Sequence, residues 1–86
     1  MQQFTYVVTD PLGIHARPAG LLAKTAKAFP DVSVTLSKGD QAARAGQLMK
    51  VMSLGVKPGD RITVSVEGPG EEEAAAAVLK FLSENL

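Results

Sequence analysis

The only histidine in this 86-residue chain, His15, stands two positions before Arg17. The turn sequence "DPLG", residues 10–13, precedes it, and Pro18 follows, as is tolerated in the first turn of a helix. The amides of Ala16 and Arg17 would then lie in the first turn of a helix, where no intrahelical carbonyl accepts a hydrogen bond from them. This spacing places the imidazole at or beside the N-cap, where the positive end of the helix dipole faces it.

That position has two chemical consequences for His15. A charged imidazolium is disfavoured, so the ring tends to stay neutral with a free lone pair. An anion attached to the ring is favoured, since the Ala16 and Arg17 amides and the Arg17 guanidinium can reach it. Such a site suits a nucleophilic, transiently phosphorylated histidine. A lone histidine near a helix start is also commonly a surface residue or a cap, and its position alone does not separate these interpretations.

The composition argues against several other kinds of function. The charges of nine basic and nine acidic residues cancel to a net charge of zero. The sequence also lacks the basic tract and the aromatic stacking residues that are typical of nucleic-acid-binding proteins. With no cysteine and one histidine, thiol catalysis, disulfides and a transition-metal site are not expected, nor is a cofactor. Paired carboxylates and a phosphate-binding glycine–lysine loop are missing, which disfavours a free-standing enzyme. No stretch suits membrane insertion and no leader is recognisable, so we expect a cytoplasmic protein.

Alternating apolar residues predict the strands that frame this segment. One alternation covers residues 4–9, a second covers 32–37, and a third covers 61–66 after the turn "KPGD". The hairpin sequence "SKGD" leads into a short strand over 41–44. One apolar and one polar face predict an antiparallel sheet covered on one side only.

Three helices are predicted to supply the cover. The first spans 16–29 and is ended by Pro30, with Leu22, Ala26 and Phe29 on its inner stripe. The second spans 47–54 and stops at Gly55. The third follows "GPGEEE", and its stripe consists of Ala75, Val78 and Leu82, with Phe81 beside it. The fold class is therefore α+β, and residues 1–86 are expected to form one domain.

Two motifs resemble those of the HPr family, the histidine-containing phosphocarriers of the bacterial sugar phosphotransferase system. "GIHARPAG", Gly13 to Gly20, resembles the active-site segment, and "LMKVMSLGV", Leu48 to Val56, resembles the second-helix motif. The resemblance extends over essentially the whole chain, and the two motifs in this order and spacing are highly specific. It implies an open-faced β-sandwich, a four-stranded antiparallel sheet with three helices on one face, in agreement with the element pattern.

The resemblance also implies a phosphoryl carrier that forms a phosphohistidine and is not itself an enzyme. Enzyme I would phosphorylate Nδ1 of His15, which would then donate the group to a histidine of a sugar-specific enzyme IIA. Arg17 would neutralise charge on the phosphoryl oxygens, and the amides of Ala16 and Arg17 would bind them. A monomer is expected.

A partly apolar docking surface is expected beside the histidine. The second helix carries five apolar residues within two turns, and Val51 and Leu54 can face the sheet. The pattern alone equally allows all five to be core, but the resemblance favours an interface. Methionine suits it because the unbranched thioether repacks. The residues expected to contact partners are Gly20, Leu21, Lys24 and Lys27 of the first helix and Leu48, Met49 and Met52 of the second.

One departure from the family concerns regulation. In Gram-positive relatives a serine at the start of the second helix is phosphorylated, and the matching position here is Gln47, which has no hydroxyl. This regulatory site is therefore expected to be absent. Two alternatives to the sugar carrier remain: the nitrogen-regulatory paralogue with the same chemistry, and a regulatory or ligand-binding module that is never phosphorylated and in which His15 is incidental.

Overall fold

The computed structural model describes residues 1–11, 13–14 and 16–86, so His15 lies outside the described residues. The predicted α+β fold is confirmed: a four-stranded antiparallel sheet in the order β1-β4-β2-β3 is accompanied by three helices. In chain order the elements are β1 Gln2–Val7, α1 Ala16–Lys27, β2 Ser33–Lys38, β3 Gln41–Arg44, α2 Leu48–Ser53, β4 Arg61–Glu67 and α3 Glu71–Asn85. No helix in this described part of the chain is both long and apolar enough to cross a bilayer.

The sheet buries one face and exposes the other, as the alternating sequence predicted. In β4 every second residue, Ile62, Val64 and Val66, is fully buried, while the residues between them are partly or fully exposed. Val64 pairs with Phe4 of β1 on one side and Leu36 of β2 on the other, so inward side chains form rows across the sheet. Burial of each large aliphatic side chain contributes about 1.5–3 kcal/mol to the stability of the fold. These rows of side chains form the part of the core that the sheet provides.

The inner face of α1 differs slightly from the prediction. Its fully covered residues lie early in the helix and include Ala19 and Leu22, whereas Ala26 and Phe29 are only partly buried. The helix also ends at Lys27, two residues before the predicted end. The amide of Phe29 bonds to the carbonyl of Ala26 at 3.1 Å, so the chain tightens into a three-residue turn before Pro30.

The inner face of α3 differs from the prediction at one of its three positions. Ala74, Val78 and Leu82 are fully buried, whereas Ala75 and Phe81 are partly exposed. The spacing of four residues between the buried positions follows one row along the helix. The predicted stripe identified Val78 and Leu82 correctly, but Ala75 was wrong as its third member. Ala74 and Ala75 are the same residue type at adjacent positions, so only the packing of the helix shows which of them is buried.

Gly20 lies inside α1 and offers a stability test. An added Cβ at this position would meet nothing within 4 Å. Since glycine in a helix costs about 0.5–1 kcal/mol relative to alanine, Gly20→Ala should raise the free energy of unfolding by that amount and Tm by about 2–8 °C. Thermal and urea denaturation followed by circular dichroism would measure both.

Gly39 provides the matched control for Gly20. It also has open space around the Cβ position, but its φ is +59°. Gly39→Ala should therefore lose about 1 kcal/mol because an L-residue is strained in the left-handed region. Changes of the same sign in the two variants would contradict the explanation from helix propensity.

Candidate functional site

The segment that carries "GIHARPAG" is anchored where β1 ends. Val8 is fully buried; its amide donates to the carbonyl oxygen of Asp60 at 3.0 Å, and its own carbonyl accepts from the amide of Gly59 at 2.7 Å. These bonds continue the β1–β4 pairing into the turn before β4. The start of the β1–α1 connection is consequently fixed to the sheet.

The next two residues are held by the end of α3. The main-chain oxygen of Leu86 accepts from the amide of Thr9 at 2.6 Å, from the Thr9 hydroxyl at 2.9 Å and from the amide of Asp10 at 3.0 Å. Leu86 is itself buried in the core. This cluster ties the connection to the third helix as well as to the sheet.

The two residues described just before His15 rest on the backbone of Val56. Gly13 has a φ of +66°, and a Cβ there would lie 2.1 Å from the carbonyl oxygen of Val56. That same oxygen accepts a hydrogen bond from the amide of Ile14 at 3.3 Å, and the Ile14 side chain is buried. Glycine at position 13 therefore allows a close backbone approach that sets the path of the chain into α1.

A charged contact holds Gly55 and Lys57, the two residues that flank Val56 in the chain. The Asp60 carboxylate accepts from the amide of Lys57 at 2.8 Å and forms an ion pair with the Lys38 ammonium at 2.9 Å. Lys38 also donates to the carbonyl of Gly55 at 2.8 Å. The hydrogen bond from Lys38, followed by that from the Lys57 amide, lowers the pKa of Asp60 below its ordinary value of 3.8.

The lowered pKa of Asp60 gives a pH-dependent prediction. A depressed carboxyl pKa stabilises the fold above the unfolded value of 3.8, and this contribution is lost as the pH falls through the lower folded value. Asp60→Asn removes the charge while keeping an acceptor for the Lys57 amide. The variant should be less stable than the parent at neutral pH, and the gap should narrow on acidification to about pH 2.5. Urea denaturation at both pH values measures it; a gap independent of pH would contradict the role of the charge.

The opening of α1 places two backbone amides directly after position 15. Ala16 and Arg17 are exposed, and no acceptor for either amide is found among residues 1–11, 13–14 and 16–86. Pro18, in the first turn, is buried. Within the described part of the chain, the helix therefore begins with two N–H groups that have no acceptor, at the positive end of its dipole and directly after position 15, and such groups bind anions.

Arg17 adds a cation at the same place. Its side chain lines a surface cavity of about 240 Å³, and its guanidinium makes no salt bridge with any residue that the structure describes. The described residues that line this cavity are Asp10, Arg17, Pro18, Leu21, Glu84 and Asn85. The cation is thus accessible to an anionic group outside the protein.

The predicted docking residues of α2 lie at the surface. Val51 and Leu54 are buried, as predicted, while the exposed fractions are 75% for Met49, 37% for Leu48 and 36% for Met52. Three of the five apolar side chains in residues 48–54 are therefore exposed at the surface and available to a partner.

The predicted docking residues of α1 lie on the neighbouring helix, which packs against α2. Leu21 is 41% exposed. Lys24 and Lys27 are exposed and Gly20 is half-buried. We call these four residues, together with Leu48, Met49 and Met52, the α1–α2 surface.

Sequence and structure comparisons decide the family. The family model for the PTS HPr component phosphorylation site matches residues 2–84. The chain belongs to the HPr family. The phosphocarrier protein HPr of Lysinibacillus sphaericus is 44% identical over 84 residues, covering 96% of this chain and 91% of the relative. HPr of Mycoplasma genitalium is 38% identical over 85 residues, covering 99% and 97%.

Solved structures agree with this assignment. A mycoplasma histidine-containing phosphocarrier protein superposes with a TM-score of 0.92 at 30% identity, covering 96% of this chain and 93% of that structure. The HPr architecture predicted from the two motifs is thereby confirmed. As a member of the HPr family, the chain is a phosphocarrier of the phosphotransferase system rather than an enzyme with its own turnover.

Proposed function

We propose that this chain accepts a phosphoryl group from phospho-enzyme I on Nδ1 of His15 and donates it to a histidine of a sugar-specific enzyme IIA. The observation that carries the proposal is that the amides of Ala16 and Arg17, which open α1 directly after position 15, have no acceptor among the described residues. Oriented N–H groups there stabilise an anionic adduct without having to reorganise.

Each transfer is a displacement at phosphorus. The lone pair of the neutral His15 imidazole attacks the phosphorus of phospho-enzyme I, and the P–N bond on the donor breaks with its electrons returning to the donor nitrogen. The same exchange in the opposite sense passes the group to enzyme IIA. Arg17 balances charge on the phosphoryl oxygens in both steps, because its guanidinium is exposed and makes no salt bridge with a described residue. A carrier that stabilises its phosphorylated and unphosphorylated states to a similar degree passes the phosphoryl group readily in either direction.

The α1–α2 surface would receive both partner proteins. Exposed apolar side chains supply the contact area, and Met49 and Met52 adapt to different partner shapes. Lys24 and Lys27, both exposed, add positive charge that would meet acidic rims and accelerate encounter. We further propose that residues 1–86 act as one domain and as a cytoplasmic monomer.

Regulation by serine phosphorylation would be absent. Gln47 precedes α2, is exposed and offers an amide instead of a hydroxyl. Ser53 lies at the other end of α2, where its hydroxyl donates to the carbonyl of Lys50 at 2.7 Å. Incubation with ATP and the kinase that phosphorylates Gram-positive relatives should leave the mass of the parent chain unchanged. The Gln47→Ser variant should gain the mass of one phosphate under the same conditions. Stoichiometric phosphorylation of the parent chain would refute this.

Incubation with phosphoenolpyruvate and enzyme I, followed by phosphorus NMR, tests the proposed transfer. We expect one acid-labile phosphohistidine signal, which belongs to His15 because the chain has one histidine. Parallel reactions with the sugar-branch and nitrogen-branch enzymes I identify the physiological donor. Phosphorylation by neither donor, or a phosphate that survives acid as a phosphoserine would, would overturn the proposal.

A further inference from the structure

The sulfur of this protein is confined to its surface. The chain has no cysteine and three methionines, Met1, Met49 and Met52. Their exposed fractions are 67%, 75% and 36%, and the hydrophobic core contains none of them. Oxidation of sulfur would consequently leave the packing of the core intact, unlike oxidation of a buried methionine.

We propose that Met49 and Met52 form a peroxide-sensitive modification site that weakens partner docking when oxidised. This inference rests on the proposed function, since it concerns the surface through which phosphoryl transfer would occur. The thioether sulfur attacks one peroxide oxygen and forms an S–O bond while the O–O bond breaks. Sulfur is oxidised by two electrons, and the second peroxide oxygen leaves as water or an alcohol. The product is a methionine sulfoxide, which a dithiol-dependent reductase returns to the thioether with release of water and formation of a disulfide.

Exposure sets the order of reaction on α2. Met49, at 75%, should react before Met52, at 36%. The fold should survive both reactions because Val51 and Leu54, which are buried, make the core contacts of this helix. A sulfoxide is polar, so covering it in an interface without a matching hydrogen-bond donor is unfavourable.

Met1 serves as an internal control. It precedes β1, and its amino group forms an ion pair with Glu71 at the start of α3 at 3.0 Å. It is nearly as exposed as Met49 but does not belong to the α1–α2 surface. Oxidation at Met1 should therefore leave docking unchanged.

Titration of the intact protein with hydrogen peroxide tests this inference. Peptide mass spectrometry should show a gain of one oxygen at Met49 before Met52, with an unchanged thermal transition. In enzyme I-dependent phosphorylation, KM for the oxidised protein should rise about tenfold, with kcat nearly constant. Methionine sulfoxide reductase with a dithiol should restore KM. The Met49→Leu/Met52→Leu protein retains the apolar surface and Met1, and its KM should not respond to peroxide.

Different outcomes of these experiments test the methionine oxidation site and the proposed phosphoryl-carrier function separately. Full sulfoxide formation at Met49 and Met52 without a change in KM would overturn the inference, as would a peroxide response in the double variant. Resistance of Met49 to peroxide while Met1 reacts would overturn the site itself. If the untreated protein accepts no phosphoryl group, the proposed function and its docking consequence both fail, and the mass spectra still report whether the site is oxidised.

Discussion

His15→Ala is expected to reduce phosphoryl uptake from enzyme I below detection. The chain has no second imidazole and no thiol, so no other side chain offers an imidazole nitrogen or a thiolate to receive the phosphoryl group. The loss should be complete rather than partial, because a missing nucleophile removes the covalent intermediate itself. Transfer from phosphoenolpyruvate, followed with isotopically labelled phosphate and acid lability, gives the measurement, and circular dichroism verifies that the variant is folded.

Arg17→Ala supplies the comparison for that result. The nucleophile remains and one cation is lost, so transfer should continue at a rate roughly 10²-fold lower, the usual effect of removing one electrostatic donor. Arg17 is exposed and forms no salt bridge with a described residue, so stability should barely change. Equal residual activity in the two variants, or uptake of acid-labile phosphate by His15→Ala, would contradict the assigned roles.

Much of the framework could be predicted because it depends on local patterns. Period-two alternation identified Ile62, Val64 and Val66 as the buried side of a strand, and they are fully buried. Turn residues and helix-start signals located the remaining elements to within about two residues. The division of α2 into buried Val51 and Leu54 and an exposed remainder was predicted only with the help of the family resemblance, since the apolar pattern alone equally allowed all five residues to be core.

The support beneath the candidate site could not be predicted in the same way. "KPGD" indicates a turn before β4, but nothing in those letters shows that Val56 contacts Gly13 and Ile14, more than 40 positions earlier. The Lys38–Asp60 ion pair likewise joins two turns that are distant in sequence. Such contacts follow from the strand order and register of the sheet, which the sequence pattern does not specify.

The close approach of Gly13 to Val56 makes Gly13→Ala a strongly disruptive substitution. An alanine Cβ would lie 2.1 Å from the Val56 oxygen, so the backbones must separate by about 1 Å to reach a tolerable contact. The residue must also keep a φ of +66°. Together the clash and the left-handed conformation should cost about 2–4 kcal/mol and lower Tm by about 8–32 °C.

Gly55→Ala separates these two contributions. Gly55 has nearly the same φ, +65°, but an added Cβ there meets nothing within 4 Å. It should therefore show only the conformational cost, about 1–2 kcal/mol, and the difference between the variants measures the contact with Val56. Equal losses in urea denaturation would show that the close approach does not matter.

The same pair of variants tests whether the Val56 contact positions the phosphoryl-accepting segment. Moving Gly13 also moves Ile14, the residue immediately before His15, whose amide bonds to the Val56 oxygen. A displacement of about 1 Å in a reacting group slows a transfer by up to about 10²-fold, so Gly13→Ala should reduce kcat for phosphoryl uptake at a temperature where it is still folded. Gly55→Ala, matched in backbone conformation, should keep kcat close to that of the parent. A reduction shared by both variants would trace the effect to lost stability, whereas a reduction confined to Gly13→Ala ties the rate to the geometry of the β1–α1 connection.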